Sequence, residues 1–345
     1  MPDREIPAVY LANLAQNEKK FYYFVNFVVR NQKKLMAKSL LKLHYQNVND
    51  NVKFLLALNA IQFHRDNLAQ AILKSKQKKD NRDYFWLYLI TKNKNYLKEL
   101  LSKRRLDFFV LYSYEEFNKK YKIDRVKIYN KSPLLYDIEN PLDVIKFYQD
   151  KAKVKNYFEF AKQLDNQKML PLKVVVLDKA FHFTKNYYIM PSYNLNNLTL
   201  KEKALFYALA RQESRFIPAQ ISRSYAIGLM QMMPFLIKSF VKNVDFEKFF
   251  HSSLNVKYAK QHLKWLSKRL KHPLFIAYAY NGGIGFTKRR VLKKFKFKGR
   301  YQPFLSMEMI PYKETREYGK KVLTNYIIYS NLLGNQITLH KLLKK

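Results

Sequence analysis

The sequence predicts an all-α chain, and three observations carry that expectation. Apolar residues recur at mixed three- and four-residue intervals through most of the first two hundred positions, with lysines and arginines between them. All seven glycines lie at or after position 228, so the earlier region has none of the residues that shape irregular loops cheaply. Only one β-branched run, "KVVV" at 173–176, reads as a strand, and it has no second run to pair with.

The elements follow in order. "KKLMAKSLLKLHYQ" (33–46), "VKFLLALNAIQFH" (52–64), "NLAQAILKSK" (67–76) and "YFWLYLITK" (84–92) each predict an amphipathic helix. Their spacing suggests stacked pairs of the α-solenoid kind, without a clean period or a tetratricopeptide signature. "NKSPLLYDIENPLD" (130–143) places two prolines among Asn and Ser and predicts a connector. "LPLKVVVLDKAF" (170–181) is read as a helix, and "YYIMPSYNLNN" (187–197) as a second break. Next comes Thr199 with Glu202 three residues on, the pattern of a capping box before an apolar run, so a helix is predicted to start there. The resulting division is a superhelical region at 1–125, a helical linker at 126–190 and a third unit at 191–345.

Composition narrows the chemistry. With no cysteine, disulfides, thiolate metal sites and cysteine nucleophiles are all excluded. The histidines at 44, 64, 182, 251, 262, 272 and 340 show no i, i+4 pair flanking an acid, so neither a metal nor any other cofactor is expected. A formal charge of +39 calls for an anionic partner, or else reflects solvated helix faces. No nucleic-acid motif is present and the basic residues do not gather in one element, so no specific nucleic acid is expected. "MPDREIPAVY" has no basic segment followed by an apolar one, so a secretory leader, if the protein is exported, has been removed or lies outside this chain.

Chemistry concentrates in "ARQESRFIPAQISRSYAIGLMQMMP" (210–234). Leu205, Phe206, Leu209, Ala210 and Glu213 fall on one stripe of the predicted helix, which puts an acid at the end of a greasy face. Partial burial there would raise its pKa and keep it protonated near neutrality; the plain alternative is an acid running out into solvent.

Four segments in this order are "ES" at 213–214, "GLMQ" at 228–231, "AYNGG" at 279–283 and "IPYKETREY" at 310–318. Together they resemble the catalytic domain of the soluble lytic transglycosylases, over roughly residues 199–325. The resemblance implies a lysozyme-like, goose-type α-helical catalytic domain behind an N-terminal α-superhelix. The implied reaction is cleavage of the bond between N-acetylmuramic acid and N-acetylglucosamine in peptidoglycan, leaving 1,6-anhydromuramyl ends, and the implied location is the periplasm. It also implies roles. Glu213 is the catalytic acid, and Ser222, Gln231 and Asn281 lie at groove positions. Met233 is an apolar contact beside the acid, Tyr280 hydrogen-bonds the acid, and Glu308 helps hold the substrate by its stem peptide. The implied partners are glycan strands and their stem peptides; any partner in wall synthesis or secretion stays open.

The sequence departs from the family pattern at Tyr225-Ala226-Ile227, where Gly-Ala and a small or polar residue are usual, and its N-terminal region is shorter than that of members with a closed ring. A hydrolytic glycosidase needs two carboxylates about the bond. Only Glu213 stands near the motif, and Glu247 is read as solvated surface. Two rival readings remain: a muramidase that hydrolyses the same bond, and a wall-binding scaffold without turnover.

Overall fold

A computed structural model describes residues 2–344 and shows an all-helical architecture; among the described residues the only extended pairings are three isolated bridges. Local sequence explains where the helices start. Asn17 caps α1 (Glu18–Arg30) by accepting from the Lys20 amide, and Asn49 caps α2 (Asp50–Gln62) by accepting from the Val52 amide. α3 (Asp66–Lys74) is followed by α4 (Asn81–Thr91), which opens on a capping box between Asp80 and Asp83. Asp107 caps α5 (Phe108–Glu116). Each of these helices packs on a neighbour in the chain, the arrangement expected of a solenoid. The helix expected over "KKLMAKSLLKLHYQ" packs likewise but is shorter than predicted: it is helical only over Lys34–Leu40, and a short 3-10 segment follows at Tyr45–Asn47.

The 130–143 connector is irregular as far as Asn140, which caps the helix Pro141–Lys153. "KVVV" lies inside α6 (Leu170–Ala180), with all three valines buried. An apolar run covered on every side satisfies its backbone within the helix, so it needs no partner strand.

The site is built by four helices. α7 (Leu200–Glu213) opens on the expected box: the Glu202 amide donates to Thr199 Oγ1 at 3.3 Å, and the Thr199 amide to Glu202 Oε2 at 2.9 Å. Residues 204–210 of α7 are buried against α10 (Lys313–Leu332). Asn325 donates to the Ala208 carbonyl, and Tyr318 reaches Glu213, so α7 and α10 run antiparallel. α8 (Ser252–Leu270) and α9 (Pro273–Gly282) complete the frame. Gly319 lets α10 lie against α9, because a Cβ there would overlap the ring of Tyr278.

One hydrophobic cluster extends from Leu11 to Leu343. Polar contacts also tie the two ends of the chain together. Tyr301 donates to Asp66, Arg30 faces Glu308, and α11 (Leu339–Leu343) is fixed to α5 by His340 between Glu115 and Glu116.

Candidate active site

Glu213 is the last residue of α7 and is half-buried. Burial pushes its pKa up from 4.5 to about 7; a hydrogen bond from Tyr318 pulls against that rise, and the nearby charge of Glu314 adds to it. The donor is the Tyr318 hydroxyl, 2.5 Å from Glu213 Oε1. Buried as it is beside this carboxyl, Tyr318 has a pKa pushed well above the usual range and stays a donor. Near neutral pH the result is a carboxylic acid held in one orientation, able to give up a proton and take one back.

The turn after α7 supports the acid. Ser214 is fully buried and donates to the Leu229 carbonyl at 2.7 Å. Gly228 has φ +86°, and a Cβ there would lie 2.5 Å from the Phe249 carbonyl oxygen, so the close approach requires glycine. The turn is clasped by Asn255 of α8, which accepts from the Met230 amide and donates to the carbonyls of Ile227 and Phe249.

The residues expected at the site divide by what they touch. Tyr280 does not bond the acid: its hydroxyl donates to the Met230 carbonyl at 2.6 Å, and burial, with the charge of Glu213 adding to it, pushes its pKa well above the usual range. Tyr318 takes the part expected of Tyr280, because the antiparallel packing of α10 on α7 brings it to the end of α7. Behind Tyr280 packs His262, whose pKa burial pushes down to about 4, so this imidazole is neutral. Ser222 accepts from the amides of Ser224 and Ala226 and so shapes its own loop. Gln231 gives its amide hydrogens to the carbonyls of Gln220 and Gly228. Met233 is half-buried where the chain leaves the turn for the helix Pro234–Phe240. Asn281 spends both ends of its amide on α10, donating to Glu314 Oε1 and accepting from Thr315, each at 2.8 Å.

Glu308 differs most from expectation. It is 2% exposed and therefore no groove acid. Burial opposes its charge, but Lys320, Arg82, Arg30 and Arg316 hold its pKa well below the usual carboxylate range. Lys320 bonds it at 2.7 Å. Two of the four cations, Arg30 and Arg82, come from the N-terminal helices, so Glu308 joins those helices to the site helices. Arg316 is likewise structural: it donates to the Ile310 carbonyl and contacts Glu317 and Glu308.

The same segments hold two further features. Glu314 is a second carboxylate close enough to perturb Glu213, whereas Glu247 is exposed as expected. Tyr225, at the departure from the family pattern, is 73% exposed with φ +63°, a conformation glycine adopts without strain.

Comparison with known proteins agrees with this geometry. A family model described as the transglycosylase SLT domain matches residues 197–302, and one described as the soluble lytic transglycosylase helical domain matches 309–337. The soluble lytic murein transglycosylase of Escherichia coli (strain K12) is 30% identical over 139 residues, 38% of this chain and 21% of that protein. Its counterpart in Salmonella typhimurium is 29% identical over 136 residues, 37% of this chain and 21% of that protein. These matches therefore span about a fifth of the length of the curated relatives.

Among solved structures, an inactive mutant of the lytic transglycosylase Slt from Pseudomonas aeruginosa superposes with a TM-score of 0.62 at 16% identity, over 96% of this chain and 59% of that one. A 70-kDa soluble lytic transglycosylase in complex with bulgecin A gives 0.63 at 18%, over 96% and 61%. The 70-kDa soluble lytic transglycosylase of Escherichia coli gives 0.60 at 19%, over 96% and 67%. At these identities the likeness is one of fold, and it takes in the N-terminal helices as well as the site. Residues 197–302 thus match the transglycosylase SLT domain model, within an all-α frame that resembles the soluble lytic transglycosylases along nearly its whole length.

Proposed function

We propose that this chain is a peptidoglycan lytic transglycosylase with Glu213 as its single acid and base. The observation that carries the reading is a carboxyl whose pKa is raised to about 7, oriented by the buried Tyr318 hydroxyl, at the end of a helix in an SLT domain. Protonated Glu213 donates to the glycosidic oxygen between N-acetylmuramic acid and N-acetylglucosamine as the C1–O bond breaks. The resulting carboxylate then takes the proton of the muramyl C6 hydroxyl, whose oxygen closes on C1. Glu213 ends as it began, no water is consumed, and the product is a 1,6-anhydromuramyl end. An intramolecular hydroxyl reacts at an effective molarity that external water does not match, so a second catalytic carboxylate is unnecessary.

On this reading Ser222, Gln231 and Met233 border the sugar groove, while Tyr280 and Asn281 hold its walls through the turn and α10. Residues 1–125 form the superhelical part, 126–190 the linker and 191–345 the catalytic unit, and the protein works in the periplasm on glycan strands. Among the described residues no helix is long and apolar enough to cross a membrane.

Glu314 favours a second reading, a hydrolase in which it activates water. Sacculi treated side by side with wild type, Glu213→Gln and Glu314→Gln separate the possibilities. The proposal requires release by wild type and by Glu314→Gln, and none by Glu213→Gln. Loss of release in both variants would support the hydrolase. A wild type that binds sacculi and releases nothing would leave only a scaffold.

A further inference from the structure

The loop between Gln220 and Gly228 departs from the family pattern at Tyr225, where glycine is usual, and the side chain there stands in water, 73% exposed. Its backbone has φ +63°, a left-handed conformation that glycine adopts freely and a residue with a β-carbon only at a cost. The chain therefore keeps a strained backbone and an exposed ring at one position. Nothing in the fold offsets either: among the described residues no hydrogen bond holds the hydroxyl, and no aromatic ring or cation packs on the phenol.

The loop is a rigid mount. Ile221 and Ile227 pair across its base in an antiparallel bridge, and the Gly228 amide donates to the Gln220 carbonyl at 2.9 Å. At the tip the Ser222 amide donates to the Ala226 carbonyl at 2.9 Å, the Tyr225 amide to the Ser222 carbonyl at 3.0 Å, and the Ser222 hydroxyl accepts from the Ala226 amide at 2.9 Å. Gln231 buttresses the base through the carbonyls of Gln220 and Gly228. With its backbone fixed, Tyr225 has only its side-chain torsions to lose when something lies on its ring.

The loop springs from the turn that supports the acid. Ser214, the residue after Glu213, donates to the Leu229 carbonyl, and Gly228 directly precedes Leu229. Tyr225 lies three residues ahead of Gly228, at most ~11 Å of extended chain, so the ring is mounted at the acid's end of α7. Ile221 and Phe235, on either side of it in sequence, are exposed as well. Apolar side chains kept in water beside a catalytic acid suit a ligand with apolar faces and polar edges. A pyranose ring has that character, with C–H bonds on its faces and hydroxyls around its rim.

We propose that Tyr225 is a stacking platform for one pyranose ring of the glycan strand, a contact at the rim of the groove in addition to those about the cleaved bond. This rests on the glycan-cleaving reading above. The ring supplies area and orientation but no charge, so it acts on how tightly the strand is held and leaves the chemistry at Glu213 unchanged. Glycine at this position relaxes the backbone and forfeits the contact; the strain at 225 is the condition for presenting the ring.

The test uses the whole protein as wild type, Tyr225→Gly, Tyr225→Asn and Tyr225→Phe, measuring KM and kcat on soluble glycan strands and the melting temperature of each. Tyr225→Asn removes the ring with a residue that tolerates the left-handed backbone, and Tyr225→Phe keeps the ring without the hydroxyl. The expected result is a KM about three- to tenfold higher in Tyr225→Gly and Tyr225→Asn, the scale of one aromatic contact, with kcat and melting temperature undiminished and Tyr225→Phe like wild type. An unchanged KM in the first two, or a fall in kcat together with a lower melting temperature, would overturn the proposal. A second arm measures binding of an N-acetylglucosamine oligomer by calorimetry, which needs no turnover. Binding weakened in Tyr225→Gly and Tyr225→Asn and kept in Tyr225→Phe supports the platform even if wild type cleaves no strand, which would reject only the activity. No binding by wild type, equal binding by all four, or a loss in Tyr225→Phe as large as in Tyr225→Asn rejects the platform and leaves the activity standing.

Discussion

Glu213→Gln should stabilise the protein at alkaline pH and leave it unchanged in acid. The carboxyl has a pKa of about 7 in the folded chain against an ordinary 4.5, because burial disfavours its charge. Between these values the folded state binds the proton more tightly than the unfolded state, so stability falls as pH rises through the interval. At 1.36 kcal/mol for each tenfold step in proton affinity, the full cost above pH 7 is about 3 kcal/mol. Gln carries no charge at any of these pH values, and its carbonyl oxygen accepts from Tyr318 as the carboxyl does, so the variant escapes the cost. Urea unfolding at pH 4, 6 and 8 reads the difference as a shift in midpoint at constant slope. The variant should match wild type at pH 4, gain partway at pH 6 and reach its full advantage at pH 8. An advantage independent of pH, or a variant less stable than wild type at pH 8, would refute the burial argument.

Three further sets of substitutions probe the same frame. Glu314→Gln removes a charge that raises the Glu213 pKa, and Tyr318→Phe removes a hydrogen bond that lowers it. The alkaline limb of the pH–rate profile should therefore move down in the first and up in the second, measured on soluble glycan strands. Gly228→Ala and Tyr225→Gly should act in opposite directions in thermal melts. The first drives a Cβ against the Phe249 carbonyl and costs several kcal/mol, on the order of other strained close contacts. The second relieves a left-handed tyrosine and gains up to about 1 kcal/mol after the entropy cost of glycine. Glu308→Gln strips the negative charge from four buried or partly buried cations and should destabilise the protein by about 3–5 kcal/mol in urea unfolding, whereas a groove acid would affect KM and spare the fold.

Local patterns were readable and long-range contacts were not. The capping box at Thr199 and the apolar stripe ending at Glu213 depend on residues a few positions apart, so spacing alone revealed them, whereas the need for glycine at 228 comes from Phe249 and Asn255 on later elements. The oxygen that Tyr318 contacts lies 105 residues away in the chain, and no spacing rule distinguishes it from Tyr280. "AYNGG" and "IPYKETREY" each bring one tyrosine towards the acid, Tyr280 and Tyr318, and the pairing of α7 with α10 decides between them. Glu308 misled for a similar reason: the family resemblance implies a carboxylate in the groove, but Arg30 and Arg82 from the start of the chain bury it in charge. Asn255 lies in an ordinary amphipathic helix without a motif, and only the folded turn shows what its amide clasps.

The central claim is that one carboxyl cleaves the strand with the sugar's own hydroxyl as nucleophile. Mass spectrometry of the muropeptides released from sacculi by the wild-type protein tests it most directly. The account predicts 1,6-anhydromuramyl ends, lighter by one water than reducing ends; a digest made up of reducing ends would contradict it and hand the reaction to hydrolysis.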